Sequence, residues 1–275
     1  MLGVVRAFAL ALAAATLAGC DRSSSSATPA AVAPTAPATT TPAPKASAAA
    51  HPNDRVAAGI AYIESTTGGA DAETPLPLIV AIHGYGATPE SLAPSLADLD
   101  VKARVVLPRG PDKIEGGNGT SWFRIGKKGG ETNVAGLDGA AERLAVAIGE
   151  IAKSRPTRGR PIVVGFSQGG MLTFALALKF PDLVSAAFPI AGWMPVELIP
   201  ARDAKKTYPK IIAMHGTADD VLPIGPTRDA VAKMKERGYS VELLEYAGVA
   251  HNVNGTMRER LHTLVGKAAL EQAGK

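Results

Sequence analysis

The chain has 275 residues, of which 46% are hydrophobic, 5% aromatic and 20% charged, with a formal net charge of +4 and a single cysteine. That length is enough for one domain with a substantial core, and one cysteine excludes an intrachain disulfide. Few aromatics and no basic stripe argue against a nucleic-acid partner.

Taken in chain order, the first signal is one early positive charge, Arg6, followed by the apolar stretch Ala7 to Ala18. It has the make-up of a signal-peptide core and is too short to span a bilayer comfortably. From Arg22 to about Ala50 the chain is nearly all Ser, Ala, Thr and Pro, without an apolar period. Such a segment cannot bury enough surface to offset the entropy of ordering, so a flexible, partly extended tether is expected over residues 20–50. Arg6 goes with the signal, and Arg22 and Lys45 stand against Asp21 in the tether. About +2 is then left for residues 51–275, a usual size for one α/β domain.

Within that domain, apolar runs of strand length alternate with segments of helix length. Val56 to Ile63 is expected as an antiparallel edge strand. Then follow Leu78–Ile82 (strand), Pro89–Leu99 (helix), Ala103–Leu107 (strand), a Gly-rich loop, Val134–Lys153 (helix), Ile162–Val164 (strand) and Gly170–Phe180 (helix). The series continues with strands at Ser185–Ile190 and Ile211–Met214, a helix at Thr227–Arg237, a strand at Ser240–Tyr246 and a helix at Gly255–Leu270. Alternation of this kind implies a mostly parallel central sheet with helices on both faces, whose functional groups gather at the carboxyl ends of the strands. Arg155, Arg158 and Arg160 fall in a Pro/Gly-containing connection and are expected to be solvated. Gly116, Gly117 and Gly119 suggest a mobile loop.

Gly165-Phe166-Ser167-Gln168-Gly169 is a GxSxG pentapeptide set between one of these strands and the helix that follows it. A serine hydroxyl is a poor nucleophile in water, and a sharp strand-to-helix turn can present it to a base and an oxyanion hole. The flanking glycines let strand and helix pack closely around a residue in strained geometry. Five histidines are available as the base. His51 lies at the tether boundary and His262 inside the last helix, while His83 and His215 each precede a glycine at a strand end. The order nucleophile, acid, base leaves His251, in the loop between the last strand and the last helix. The acid should follow a strand between Ser167 and His251, where Asp219 and Asp220 both qualify and spacing does not choose between them. Glu245, inside a strand, is a weaker candidate. No HExxH or Cys/His cluster is present, so no metal or other cofactor is implied.

GFSQG, the run His215-Gly216-Thr217-Ala218-Asp219 through Pro223, His83-Gly84-Tyr85-Gly86 and Ser121-Trp122-Phe123 together resemble the phospholipase/carboxylesterase family of α/β-hydrolases, which includes the acyl-protein thioesterases. The resemblance runs from about Leu78 to His251. It implies an α/β-hydrolase fold and a serine hydrolase acting on carboxylic esters, small-molecule or lipid, of short to medium acyl length. It assigns the acid to Asp219, the oxyanion-hole amides to Tyr85 and Gln168, and a place near the acyl pocket to Trp122. Arg124 departs from the family's SWFD pattern. Two alternatives are a polyester-depolymerase or feruloyl-esterase type hydrolase, whose nucleophile segment usually resembles GLSAGG, and a non-catalytic binding protein on the same scaffold. Leu17-Ala18-Gly19-Cys20 resembles the lipobox of bacterial lipoproteins. That resemblance implies cleavage after residue 19, lipidation of Cys20 and a periplasm-facing anchor in the cell envelope, with neither membrane specified. The sequence gives no oligomeric state.

Overall fold

The computed structural model describes residues 54–128 and 131–274, all within one unit, Ala43–Lys275. The signal peptide (residues 1–19), Cys20, the tether to residue 50 and His51 lie outside the described residues. In chain order the strands are β1 (Arg55–Ala57), β2 (Ile60–Thr67), β3 (Leu76–Ile82), β4 (Ala103–Pro108), two short hairpins β5 (Asp112–Lys113)/β6 (Thr120–Ser121) and β7 (Gly126–Lys128)/β8 (Glu131–Asn133), then β9 (Thr157–Phe166), β10 (Ala186–Ile190), β11 (Lys210–Gly216) and β12 (Val241–Tyr246). The helices are α1 (Leu137–Ser154), α2 (Gln168–Lys179), α3 (Gly225–Glu236) and α4 (Gly255–Ala273).

Eight strands form one sheet in the order β1-β2-β4-β3-β9-β10-β11-β12. The pairs β1/β2 and β2/β4 are antiparallel, and every other pair is parallel. This is an α/β-hydrolase fold. Its inner strands β3, β4, β10 and β11 are apolar on both sides because both faces are covered. Along β9, Val163 joins the core under α1, α2 and α3, while Ile162 and Val164 join the core under α4. The period of two in strand side chains splits one apolar run between two cores.

Helix α1 shows how a one-sided helix is built. Its buried residues Leu137, Ala140, Ala141, Leu144, Ala145, Ile148 and Ile151 recur at three- and four-residue spacing. Helix α2 is buried from Gln168 through Leu178 and is accordingly apolar on every side.

Three expectations need correction. Pro89–Leu99 is two 3₁₀ turns, Pro89–Ser91 and Ala93–Ser95, rather than one helix. Pro94 supplies no N–H and its ring crowds the preceding turn, so the segment cannot continue as an α-helix. Leu92, Leu96 and Leu99 are buried nonetheless. Helix α1 begins at Leu137 instead of Val134, because Gly136 at its N-cap has φ 90°, outside the helical region. Of the arginines expected to be solvated, Arg158 is exposed and donates to the Pro75 and Ala273 carbonyls (3.3 Å each), whereas Arg155 and Arg160 are partly buried and tied: Arg155 Nε donates to Glu64 (3.0 Å) and Arg160 Nη1 to the Pro181 carbonyl (2.8 Å). Strand β9 therefore starts well before Ile162, across a register irregularity in its pairing with β3.

The expected edge strand is a hairpin. The chain reverses at Ala58-Gly59, where Ala58 has φ 45° and is exposed. A left-handed backbone crowds a Cβ against the next carbonyl at about 1–2 kcal/mol. Ala58→Gly is therefore expected to stabilise the domain by up to about 1 kcal/mol after the added flexibility of the unfolded chain is deducted. Urea unfolding of the two proteins measures the difference, and a lower midpoint for the glycine variant would contradict the account.

Candidate active site

Strand β9 ends at Phe166 and helix α2 begins at Gln168, so Ser167 alone makes the turn, with φ 56° and ψ −116°. That conformation is strained for a residue with a Cβ. It is held by Ser167 N–H donating to the Ile190 carbonyl (2.9 Å) and by the Ser167 carbonyl accepting from Met171 N–H (3.1 Å). Room for it comes from missing side chains. A Cβ on Gly165 would lie 2.2 Å from the Gly169 carbonyl oxygen, and one on Gly169 would lie 2.0 Å from that of Ile82. Neither contact is sterically possible.

The partly exposed Ser167 faces His251, whose Nε2 is 3.0 Å from Ser167 Oγ. His251 Nδ1 is 2.7 Å from Asp219 Oδ2. The other carboxylate oxygen of Asp219 accepts from the Val221 and Leu222 amides at 3.1 and 2.8 Å. Asp219 is 6% exposed, so its negative charge is presented to a few fixed donors rather than to water. Asp220 beside it is exposed, and Glu245 is bridged to Arg228. Of the acids the spacing left open, Asp219 is the one placed against His251. The ring of His251 also packs on Phe166, with centroids 4.8 Å apart. The loops carrying acid and histidine are stitched to each other. Thr217 N–H donates to the Tyr246 carbonyl (2.9 Å), and Ala218 N–H to that of Val249 (3.0 Å).

Tyr85 and Gln168 follow Gly84 and Ser167 in chain order, and their amides donate to no acceptor among the described residues. A Cβ at Gly84 would come within 3.1 Å of Ser167 Cβ, so the Tyr85 loop abuts Ser167 directly. The Gln168 side chain has a task that spacing did not reveal. It is fully buried, its Oε1 accepting from Trp122 N–H (2.9 Å) and its Nε2 donating to the Phe123 carbonyl (2.7 Å).

Trp122 is placed differently from the expectation. It is 1% exposed, its indole N–H donates to the His83 carbonyl (3.0 Å), and it lines none of the cavities described below. It supports the Tyr85 loop from behind. His83 does the same from within the loop: Nε2 accepts from Gly110 N–H (3.0 Å), which leaves the proton on Nδ1 to be donated to the Gly84 carbonyl (2.7 Å). The far end of the Gly-rich stretch, at Gly119, is likewise pinned. Gly86 N–H donates to the Thr120 carbonyl and Thr120 N–H to that of Ala87, each at 3.0 Å, and a Cβ on Gly119 would overlap the Gly86 carbonyl. Close approach, not mobility, accounts for Gly119.

A cavity of about 400 Å³ opens on Ser167 and His251, with Tyr85, Leu92, Phe166 and Val253 among its walls. A groove of about 920 Å³ begins at the other side of Tyr85 and is lined by Ile114, Ser121, Arg124 and Ile125. A third hollow of about 370 Å³ lies among Trp193, Met194, Val196, Leu222 and Pro223, beside the acid loop. Sequence reasoning did not single out Trp193. Its only signal was its place just past the end of a strand. Among the described residues no three His, Cys, Asp or Glu side chains converge as metal ligands.

An α/β-hydrolase sheet with serine, histidine and aspartate in hydrogen-bonded line at its carboxyl edge defines the class. Residues 65–268 match the family model described as Phospholipase/Carboxylesterase, and the chain belongs to that family. It is 30% identical over 154 residues to a probable carboxylesterase of Oryza sativa subsp. japonica, covering 52% of this chain and 55% of that one. To the carboxylesterase SOBER1 of Arabidopsis thaliana it is 29% identical over 137 residues, covering 48% and 58%. The chain thus spans a little over half the length of these two curated relatives. Among solved structures, esterase PE8 superposes with a TM-score of 0.65 at 22% identity, covering 76% of this chain and 99% of that one, a likeness of fold.

The buried His83 has a consequence for stability. Burial, the largest cause, pushes its pKa from 6.5 down to about 4. Below pH 6.5 the unfolded chain takes up a proton that the folded ring refuses, so stability falls as pH drops and levels off near pH 4. The loss from this group is roughly 3 kcal/mol. His83→Gln, which keeps an acceptor for Gly110, is expected to flatten the decline between pH 7 and 4.5 in urea unfolding. An equally steep decline in the variant would refute the assignment.

Proposed function

We propose that the protein is a serine hydrolase of carboxylic esters, with Ser167 as nucleophile, His251 as general base and acid, and Asp219 as the orienting carboxylate. The observation that carries this is the unbroken line from Ser167 Oγ to His251 Nε2 (3.0 Å) and from His251 Nδ1 to Asp219 Oδ2 (2.7 Å). As Ser167 Oγ attacks the ester carbonyl carbon, its proton passes to His251 Nε2. Asp219 fixes the tautomer that makes Nε2 the acceptor and stabilises the imidazolium that results. The carbonyl oxygen becomes an oxyanion held by the amides of Tyr85 and Gln168, each worth on the order of 3 kcal/mol in the transition state. Collapse of the tetrahedral intermediate breaks the bond to the leaving alcohol, which takes the proton from His251. Water then adds to the acyl-serine as His251 takes its proton, and collapse of the second tetrahedral intermediate breaks the bond to Ser167 Oγ, which receives that proton from His251 as the carboxylic acid leaves.

The cavity of about 400 Å³ at the nucleophile, with apolar walls from Leu92, Phe166 and Val253, supports esters of short to medium acyl length. Tyr85, 54% exposed, stands between this cavity and the larger groove and offers an apolar edge to a substrate lying across both. We also propose that the chain is a lipoprotein of the bacterial cell envelope, cut before Cys20 and lipidated there, its domain joined to the anchor by residues 21–50. The support is the sequence at Leu17-Ala18-Gly19-Cys20 and the composition that follows. No helix among the described residues is long and apolar enough to cross a membrane. Two or three acyl chains, at about 0.8 kcal/mol per buried CH₂, would hold the domain at the surface stably.

Ser167→Ala is expected to lower hydrolysis of a p-nitrophenyl ester by at least about 10³-fold with an unchanged melting temperature, and to abolish labelling by a fluorophosphonate probe. Retained turnover would sink the nucleophile assignment. Cys20→Ser should move the protein from the membrane to the soluble fraction and end incorporation of a labelled fatty acid. A variant that stays membrane-bound and labelled would count against the anchor.

A further inference from the structure

His215 is the penultimate residue of β11, fully buried, and the catalytic scheme above does not use it. Its Nε2 lies 2.8 Å from the Leu222 carbonyl oxygen and 3.3 Å from Asp219 Oδ2. Both neighbours are acceptors only, so Nε2 carries the proton. Nδ1 is 3.0 Å from Thr227 Oγ1, which itself lies 3.0 Å from the Gly192 carbonyl. With its proton on Nε2 the neutral ring accepts the single hydroxyl proton of Thr227 at Nδ1, and so ties together three pieces of chain: the acid loop at Asp219, its far end at Leu222 and the first turn of α3 at Thr227, with the Gly192 carbonyl after β10 packed beside that hydroxyl. That last contact leads back to the nucleophile, since a Cβ on Gly192 would sit 2.8 Å from the Ser167 carbonyl oxygen.

We propose that His215 is a positioning residue for the acid–base pair, its Nε2–H holding Asp219 Oδ2 and the Leu222 carbonyl so that the carboxylate meets His251 Nδ1 in one fixed geometry. This rests on the assignment of Ser167, His251 and Asp219 made above. The charged and titratable groups around the ring are few. Asp219 and His251 face it from their loops, and Glu245 is its register neighbour on β12 but is bound to Arg228 of α3. Burial, the largest cause, keeps the His215 pKa below its ordinary value, so the ring acts as a neutral donor.

A donor on Asp219 Oδ2 has an electronic effect as well as a geometric one. It shares the carboxylate oxygen that faces His251 Nδ1, and so draws on the charge that oxygen offers to the imidazolium formed during catalysis. Removing it frees Asp219 to swing about the bonds its other oxygen makes to Val221 and Leu222. It also strengthens the pull of the carboxylate on the imidazolium. Activity is expected to fall, and the acidic limb of the pH profile to move upward.

Two neutral amides separate reach from mere polarity. Gln at 215 can place its side-chain nitrogen where Nε2 lies, whereas Asn reaches only the Nδ1 position toward Thr227. For His215→Asn we expect kcat on a p-nitrophenyl ester to drop on the order of tenfold with little change in KM, and the acidic limb of kcat/KM to rise by about one pH unit. His215→Gln should keep both near wild type. Equal behaviour of the two variants, whether both active or both impaired, would overturn the proposal. Should the Asn variant not fold, Thr227→Val releases the ring without altering Nε2 and is expected to raise the acidic limb by a smaller amount; an unmoved limb there would also overturn it. Fluorophosphonate labelling of Ser167 in each variant keeps the two levels apart. If Ser167→Ala remains active the triad assignment fails, whereas a dependence on Ser167 with an unmoved limb removes only the role of His215.

Discussion

The site depends on the close approach of backbones behind Ser167. Strand β9, the first turn of α2, the end of β3 and the chain after β10 meet there at distances that leave no room for a Cβ on Gly165, Gly169 or Gly192. That crowding forces the chain to turn within one residue, and the residue that turns has φ 56°. Strain of this kind costs on the order of 1–3 kcal/mol. It persists because the surrounding structure leaves no alternative: the Ser167 amide is bound to Ile190, its carbonyl to Met171, and α2 is buried on all sides. The side chain is thereby lifted clear of both strand and helix.

The same crowding places the polar groups that answer the nucleophile. Gly84 abuts Ser167, so the amide after it comes close to the serine because no Cβ stands between them. Gln168 then does two things with two parts of one residue. Its amide belongs to the unsatisfied first turn of α2, where donors point outward and the helix dipole favours negative charge. Its side chain, fully buried, clamps the backbone of Trp122 and Phe123, and Trp122 in turn holds the His83 carbonyl. An error in either amide's position would therefore have to move a packed tryptophan. The two amides are thus held by packed groups, the rigidity that the oxyanion hole proposed above requires.

Much of this was legible in the sequence, and the reasons are local. β-Branched and leucine-rich runs of strand length, the alternation with helical segments and the GxSxG turn all report on neighbours in the chain, so fold class and the strand-to-helix turn at Ser167 could be read directly. Pro94 and Gly136 carried information that a hydrophobic count passed over, which is why a helix became two 3₁₀ turns and another began three residues late. The start of β9 was hidden because Gly159 and Pro161 read as a connection, while its pairing with β3 is a tertiary fact. Asp219 and Asp220 could not be separated by spacing, since one residue's difference turns a side chain toward the histidine loop or toward water. The role of the Gln168 side chain and the burial of Trp122 were invisible for a related reason: each contact spans more than forty residues of chain.

The histidines show most clearly what sequence position leaves open. His83 and His251 follow strands and His215 is the penultimate residue of one, all at the carboxyl edge, where chemistry is expected. Their environments divide them. His83 is buried with Nε2 occupied by a backbone donor, and burial drives its pKa to about 4, so it has no free lone pair for a substrate proton. His215 is buried with Nε2 against two acceptors, which compels that nitrogen to remain protonated. Only His251 combines partial exposure, a carboxylate at Nδ1 and a hydroxyl at Nε2. A base must keep one nitrogen available and the other committed, and of these three rings His251 alone is arranged that way. The other two sit at one remove from it, His83 bonded within the loop that carries Tyr85 and His215 in contact with Asp219. A cluster of strand-end histidines is thus resolved by counting acceptors and donors around each ring, a calculation that needs the fold before it can begin.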